Sequence, residues 1–337
     1  MSDGHIAVLG DGSMGTALAH VAAVAGRSSR LWCRSPAGAD AINQTHRNEP
    51  MFGARTLAPT LRATADLAAA VRGADLVIAA VHSTKFRELA KQLRPLVTAD
   101  QILLSSTKGI DVGSLKRMSQ ILAEEAGAAV VGTIGGANIT PEIIDGKLTA
   151  IVVATTSREA TAKVAQLLET PNFIVYANDD LVGVEAIGAL KNVAAVALGI
   201  GAGLDFAMNA RSFLLTRAVA EIRHLVVRLG GSAETFMGQA GLADLFLTCT
   251  SPQSLNRQLG IDLGRGKSLA EIVAGLKEVP EGITTIRACR ALARSCGVVL
   301  PIAEVTASIL EGELPATALE QATVSGSAYD VDRDPRN

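Results

Sequence analysis

The chain has 337 residues, 48% hydrophobic and 19% charged, enough apolar material for roughly two domains at about 150 residues each, which excludes an unstructured chain. Lys plus Arg number 31 against 33 Asp plus Glu, and a net charge of -2 without a basic block argues against a nucleic-acid partner. Cys33, Cys249, Cys289 and Cys296 stand too far apart for zinc-finger or redox-pair spacing, so no metal is expected and a reducing compartment is.

In chain order, the first apolar stretch runs only from Ile6 to Leu9, too short for a secretory core, so a cytoplasmic location is expected. Strands are predicted at Ile6 to Gly10, Arg30 to Cys33, Asp75 to Val81, Gln101 to Ser105, Val130 to Gly135, Ala150 to Ala154 and Phe173 to Tyr176. Between them, Thr16 to Ala25, Thr84 to Leu93, Leu115 to Glu125 and Glu159 to Leu168 repeat apolar residues at helical spacing. Such alternation predicts an α/β domain, an open doubly wound parallel sheet of the Rossmann type with helices on both faces. Beyond Asn178 helical periodicity continues to about residue 325, which predicts an all-α second domain over 179–325 and a polar tail over 326–337. Within it, Val193 to Leu204 carries no charge but is only a dozen residues long, short of the roughly 20 needed to cross a bilayer. It reads as a buried helix, and no membrane insertion is expected.

Gly10-Asp11-Gly12-Ser13-Met14-Gly15 directly follows the first strand and opens a helix, the context in which a G-x-G-x-x-G run cradles a pyrophosphate. The first glycine makes the turn, the second lets the phosphate approach, and the third lets helix and strand pack. Residues 1–178 therefore read as a dinucleotide-binding domain. The second strand ends in Arg34-Ser35 where an acid would hold a free ribose 2′-hydroxyl, so NADP is permitted beside NAD.

Lys108, in Ser105-Ser106-Thr107-Lys108-Gly109, follows a strand and falls at the carboxyl edge of the sheet, where open α/β folds bind ligands. Lys191 lies in a segment apolar on almost every side, and Asp244 is a single carboxylate within Gly241-Leu242-Ala243-Asp244-Leu245-Phe246-Leu247. A buried ammonium is costly unless paired, so the two are natural partners. A buried lysine also suits proton donation and recovery at neutral pH.

With the glycine turn, Ser-Thr-Lys-Gly, Leu-Lys-Asn and Gly-Leu-Ala-Asp-Leu-Phe-Leu-Thr-Cys-Thr-Ser in this order, the chain resembles the bacterial NAD(P)-dependent glycerol-3-phosphate dehydrogenase family. Asn209-Ala210-Arg211, Leu215-Thr216-Arg217, Asn256-Arg257, Pro280-Glu281-Gly282 and Pro301-Ile302 extend the resemblance to about residue 320. It implies reversible hydride transfer between the nicotinamide of NADP or NAD and C2 of glycerol 3-phosphate or dihydroxyacetone phosphate. The resemblance implies that Lys191 is catalytic, with Asp244 beside it, and that Lys108 touches both substrate and cofactor. Cofactor contacts would come from Gly10, Gly12, Ser13, Met14, Gly15, Arg34, Thr140 and Glu281. Substrate contacts would come from Lys108, Gly136, Asn138, Asn192, Thr248, Ser254, Asn256 and Arg257. A homodimer, and an active site in the cleft between the two domains, are further expectations.

Several positions depart from the family pattern. Its Ser-Arg-Asn-Arg run is here Ser254-Leu255-Asn256-Arg257, and Leu255 cannot replace a guanidinium on a phosphate. A Ser-Gly-Pro-Ser/Thr-Phe-Ala loop has become Gly135-Gly136-Ala137-Asn138-Ile139-Thr140. The Asp-Gly after the apolar run is Ala202-Gly203, with Asp205 displaced, and the aromatic of the glycine turn is Met14. Two alternatives stay open: a paralogue acting on a small 2-hydroxy or 2-keto compound without an ordinary phosphate monoester, and a non-catalytic dinucleotide sensor.

Overall fold

A computed structural model describes residues 4–276 and 279–325. The chain divides into two compact units, one formed by the residues up to Lys108 together with Arg117–Glu185, the other by Gly109–Lys116 and the chain from Ala186 onward. The division falls after Glu185, while the sequence pattern changes at residue 178, because the helix Leu181–Gly203 runs through both. The tail expected over 326–337 lies outside the described residues.

The first unit holds eight strands: β1 His5–Leu9, β2 Ser29–Trp32, β3 Leu61–Thr64, β4 Ala74–Ala79, β5 Ile102–Ser105, β6 Val130–Gly135, β7 Thr149–Thr155 and β8 Phe173–Ala177. They form one sheet in the order β3-β2-β1-β4-β5-β6-β7-β8. Alternation along the strands feeds two cores. Ile6, Val8, Leu76 and Ile78 pack on one face with the helices Ser13–Val24 and Arg158–Leu168. Ala7, Leu9, Val77 and Ala79 pack on the other with Ser83–Leu93 and Met118–Ile121. Because both faces are covered, the central strands are apolar throughout, as parallel strands between helical layers must be.

Two features correct the expectation of seven parallel strands. The edge strand β3 is an eighth, four residues long, and too short to stand out by pattern. Strand β7 pairs antiparallel to β6, although all other neighbours are parallel. The connection from Gly135 to Thr149 contains only the five-residue helix Thr140–Ile144. At about 1.5 Å per residue such a helix rises roughly 7.5 Å, well short of a strand of about 20 Å, so it is not the long crossover helix that usually joins parallel neighbours.

The helix Leu181–Gly203 has 23 residues and is by length and composition long enough to cross a bilayer. Its residues Ile187, Leu190, Val193, Ala194, Ala197 and Ile200 instead belong to the core of the second unit. Gly199 and Gly203 on this helix meet Gly260 and Gly264 on Leu255–Gly264. A Cβ on Gly199 would come within 2.8 Å of the Gly260 Cα, and one on Gly264 within 2.9 Å of the Gly203 Cα. Backbones approach here as only glycine allows. Elsewhere in the unit Glu221, on Met208–Arg228, accepts the Ile302 and Ala303 N–H groups at 2.9 and 3.1 Å. That buried carboxylate satisfies the first turn of Pro301–Leu310.

Candidate active site

In the first unit the glycine turn sits where the strand order reverses between β1 and β4, the position at which doubly wound sheets open a crevice for ligands. Gly10 has φ +126°, and a Cβ there would lie 3.0 Å from the Ala80 carbonyl carbon. A Cβ on Gly15 would overlap the Gly10 carbonyl, whereas one on Gly12 would meet nothing within 4 Å. The second glycine thus presents open backbone. The helix Ser13–Val24 starts there without a side-chain cap and without an acid in its first turn, leaving N–H groups for an anion.

Asn48 was not singled out by sequence. Its Nδ2 donates to the Asp11 carbonyl at 2.9 Å and to Thr16 Oγ1 at 2.8 Å, pinning the turn. Arg34 is exposed just beyond β2, and the Ser35 Oγ accepts the Gly38 N–H at 3.0 Å, capping the helix Pro36–Thr45.

Lys108, Gly136 and Asn138 come together in the same unit. Lys108 Nζ donates to the Gly136 carbonyl at 2.8 Å, and Asn138 Nδ2 donates to the same oxygen at 2.9 Å. The loop carrying Lys108 is tied back, since Thr107 N–H donates to Ser105 Oγ at 3.0 Å and Thr107 Oγ1 to the Val81 carbonyl at 2.6 Å. Gly136 has φ +99°, a conformation a side chain would strain. Thr140 opens the short helix four residues further on.

In the second unit Lys191 Nζ donates to Asp244 Oδ1 and to Thr248 Oγ1. Lys191 is 4% exposed and Asp244 0%. Thr248 Oγ1 donates to the Asp244 carbonyl at 2.7 Å, so its lone pairs face the ammonium. All three groups are therefore matched donor to acceptor inside an apolar core, the condition under which buried charges are tolerated. On the next turn of chain, Asn256 Nδ2 donates to Asn192 Oδ1 at 3.0 Å while Asn256 Oδ1 accepts the Gly282 N–H at 2.9 Å.

Glu281 is the first residue of the helix Glu281–Ser295, and Thr284 Oγ1 lies 3.3 Å from its Oε2. Ser254 is committed to capping Leu255–Gly264, accepting the Arg257 N–H at 3.2 Å. Arg257 is half-buried, and Leu255 is 42% exposed at the start of the same helix. Cys249, buried beside the lysine, has its thiol pushed up to about 12 by burial and stays protonated. Among the described residues no His, Cys, Asp or Glu cluster could hold a metal.

The family model of the NAD-dependent glycerol-3-phosphate dehydrogenase N-terminus matches residues 5–161, and that of the C-terminus matches residues 180–321. The chain is 42% identical over 330 residues to the NAD(P)+ glycerol-3-phosphate dehydrogenase of Azotobacter vinelandii, covering 97% of this chain and 96% of that protein. It is 40% identical over 319 residues to the enzyme of the same name from Nitratidesulfovibrio vulgaris strain DP4, covering 94% and 97%. The solved structure of Coxiella burnetii glycerol-3-phosphate dehydrogenase is similar with a TM-score of 0.89 and 34% identity, covering 96% of this chain and 98% of that one.

Proposed function

Because this chain belongs to the NAD-dependent glycerol-3-phosphate dehydrogenase family, we propose that it interconverts glycerol 3-phosphate and dihydroxyacetone phosphate with NAD or NADP. It is an NAD(P)-dependent oxidoreductase acting on a CH–OH group. The observation that carries the mechanism is the ammonium of Lys191, buried and held between Asp244 and Thr248.

The cofactor, when bound, supplies or accepts the hydride at its nicotinamide C4. The turn Gly10, Gly12, Ser13, Met14 and Gly15 fits its pyrophosphate, through the open backbone at Gly12 and the uncapped helix behind it. Arg34, Thr140 and Glu281 are proposed to make its remaining contacts. In ketone reduction Lys191 gives a proton from Nζ to the C2 oxygen as negative charge develops there; in alcohol oxidation it takes that proton back. Asp244 and Thr248 hold and orient the Lys191 side chain. Lys108, Gly136 and Asn138 are proposed to hold the hydroxyl end of the substrate. Asn192, Ser254, Asn256 and Arg257 are proposed to surround its phosphate end.

Lys191→Ala tests the mechanism. It should keep NADH binding, read by fluorescence, while kcat falls by about 10²- to 10⁴-fold. Unchanged turnover would remove the assigned role.

A cytoplasmic homodimer is proposed as the working form. Three free cysteines are buried without disulfides among the described residues, which suits a reducing compartment. Met237, Leu242 and Phe246 of the second unit are 76%, 56% and 70% exposed, apolar surface that a second copy would cover. Light scattering that finds a monomer at micromolar concentration would sink the dimer.

A further inference from the structure

The cofactor reading leaves one charged side chain of the cradle without a role. Asp11 stands between the first two glycines of the turn, half-buried, and its backbone carbonyl is held by Asn48. Its carboxylate is directed at the beginning of Pro36–Thr45: a Cβ built on Gly38 would lie 3.8 Å from Asp11 Oδ2 and 3.0 Å from Ser35 Oγ. Its charge also reaches Cys33, the last buried residue before Arg34, whose thiol is pushed up by burial first and by Asp11 second. Asp11 therefore faces the loop after β2 from across the turn.

That loop is where a dinucleotide-binding sheet meets the adenosine ribose. An acid at the end of the second strand accepts the free 2′-hydroxyl of NAD and repels the 2′-phosphate of NADP. Here the chain just beyond the second strand reads Arg34-Ser35 and offers no acid.

We propose that Asp11 supplies this missing carboxylate from the neighbouring turn after β1, and that it makes the protein prefer NAD(H) over NADP(H). The proposal rests on the cofactor reading given above. Two considerations decide its direction against the cationic Arg34. Arg34 is exposed, so its attraction for a 2′-phosphate is screened by water and salt, whereas the half-buried Asp11 is screened less. A 2′-phosphate carries roughly -1.5 to -2 charges, so one carboxylate nearby acts on it far more than on a neutral hydroxyl.

The test is fluorescence titration of the intact protein with NADH and with NADPH, without substrate. Wild type should bind NADH more tightly. Asp11→Asn and Asp11→Ser should tighten NADPH by about tenfold, the scale of one partly screened charge contact, while NADH affinity changes little or weakens. Equal tightening for both nucleotides, or an unchanged ratio in both variants, would overturn the assignment. So would a wild type that prefers NADPH and loses that preference in Arg34→Gln, since Arg34 would then dominate. Binding is read without turnover, so a protein that discriminates between nucleotides yet reduces no ketone would defeat the proposed reaction and still support the role of Asp11.

Discussion

Asn256 and Asn192 meet amide to amide at 3.0 Å, and the opposite end of the Asn256 amide receives the Gly282 N–H at 2.9 Å. One side chain thereby joins the helix of Lys191 to the turn of Glu281. Asn256→Ala strands a buried acceptor on Asn192 and a backbone donor at Gly282, at about 1 to 3 kcal/mol for each group left unpaired. Urea unfolding should show that loss. Asn256→Asp keeps the acceptor for Gly282 and should retain more stability, but it places a negative charge among the residues proposed for an anionic substrate. Its KM for dihydroxyacetone phosphate should rise more than its kcat falls.

The Lys191–Asp244 pair separates stability from activity. Asp244→Ala leaves an ammonium buried without its counter-charge and should cost about 3 to 5 kcal/mol. Lys191→Met combined with Asp244→Ala removes both charges and should be more stable than Asp244→Ala alone, though inactive. Chemical denaturation of the single and double variants measures the coupling, and simple additivity would contradict it.

Glu221 predicts a pH dependence. Burial pushes its carboxyl up to about 7, against the Ile302 and Ala303 N–H groups and the Arg217 charge, which pull it down. The unfolded chain ionises this group near 4.5, so the folded state holds the proton more tightly. Its contribution to stability is full below about 4.5 and is lost as pH rises through about 7, at no more than roughly 1.4 kcal/mol per pH unit. The difference in unfolding free energy between wild type and Glu221→Gln, measured from pH 4.5 to 8, should follow that slope. A flat difference would show an ionised cap throughout.

Leu255 opens its helix 42% exposed and brings no charge to the region of Asn256 and Arg257. Leu255→Arg should raise kcat/KM for dihydroxyacetone phosphate by about 10- to 100-fold, the worth of one charged hydrogen-bonded contact, and leave dihydroxyacetone unaffected. No gain would mean that groups already present, Arg257 among them, hold the phosphate adequately.

What could be read from sequence was local. The glycine turn announces itself within six residues, and the lone Lys191 and Asp244 stand out because apolar neighbours make any charge conspicuous. Partners far along the chain left no such mark. Asn48 pins the turn from 37 residues away, and Glu221 caps a helix 81 residues on. Strand β3 lacked the length to show a period, and the reversal at β7 depends on how far a five-residue helix reaches. Asn256 was legible as a polar residue in the right company, yet its two bonds, spanning 64 and 26 residues, were not.

The crossing of Gly199 and Gly203 with Gly260 and Gly264 gives the second unit a fixed gauge. Where side chains separate two helices, a change of rotamer or a lost methylene lets the spacing drift by a fraction of an ångström. Here main chain rests on main chain, with no rotamer to adjust and no side-chain entropy to gain by loosening. Lys191 and Asn192 ride on one of these helices and Asn256 on the other, so their separation is inherited from backbone contact. Repacking elsewhere in this core can be absorbed by the surrounding leucines and valines, whereas the spacing of the two backbones that carry these three residues has no side chain between them through which to change.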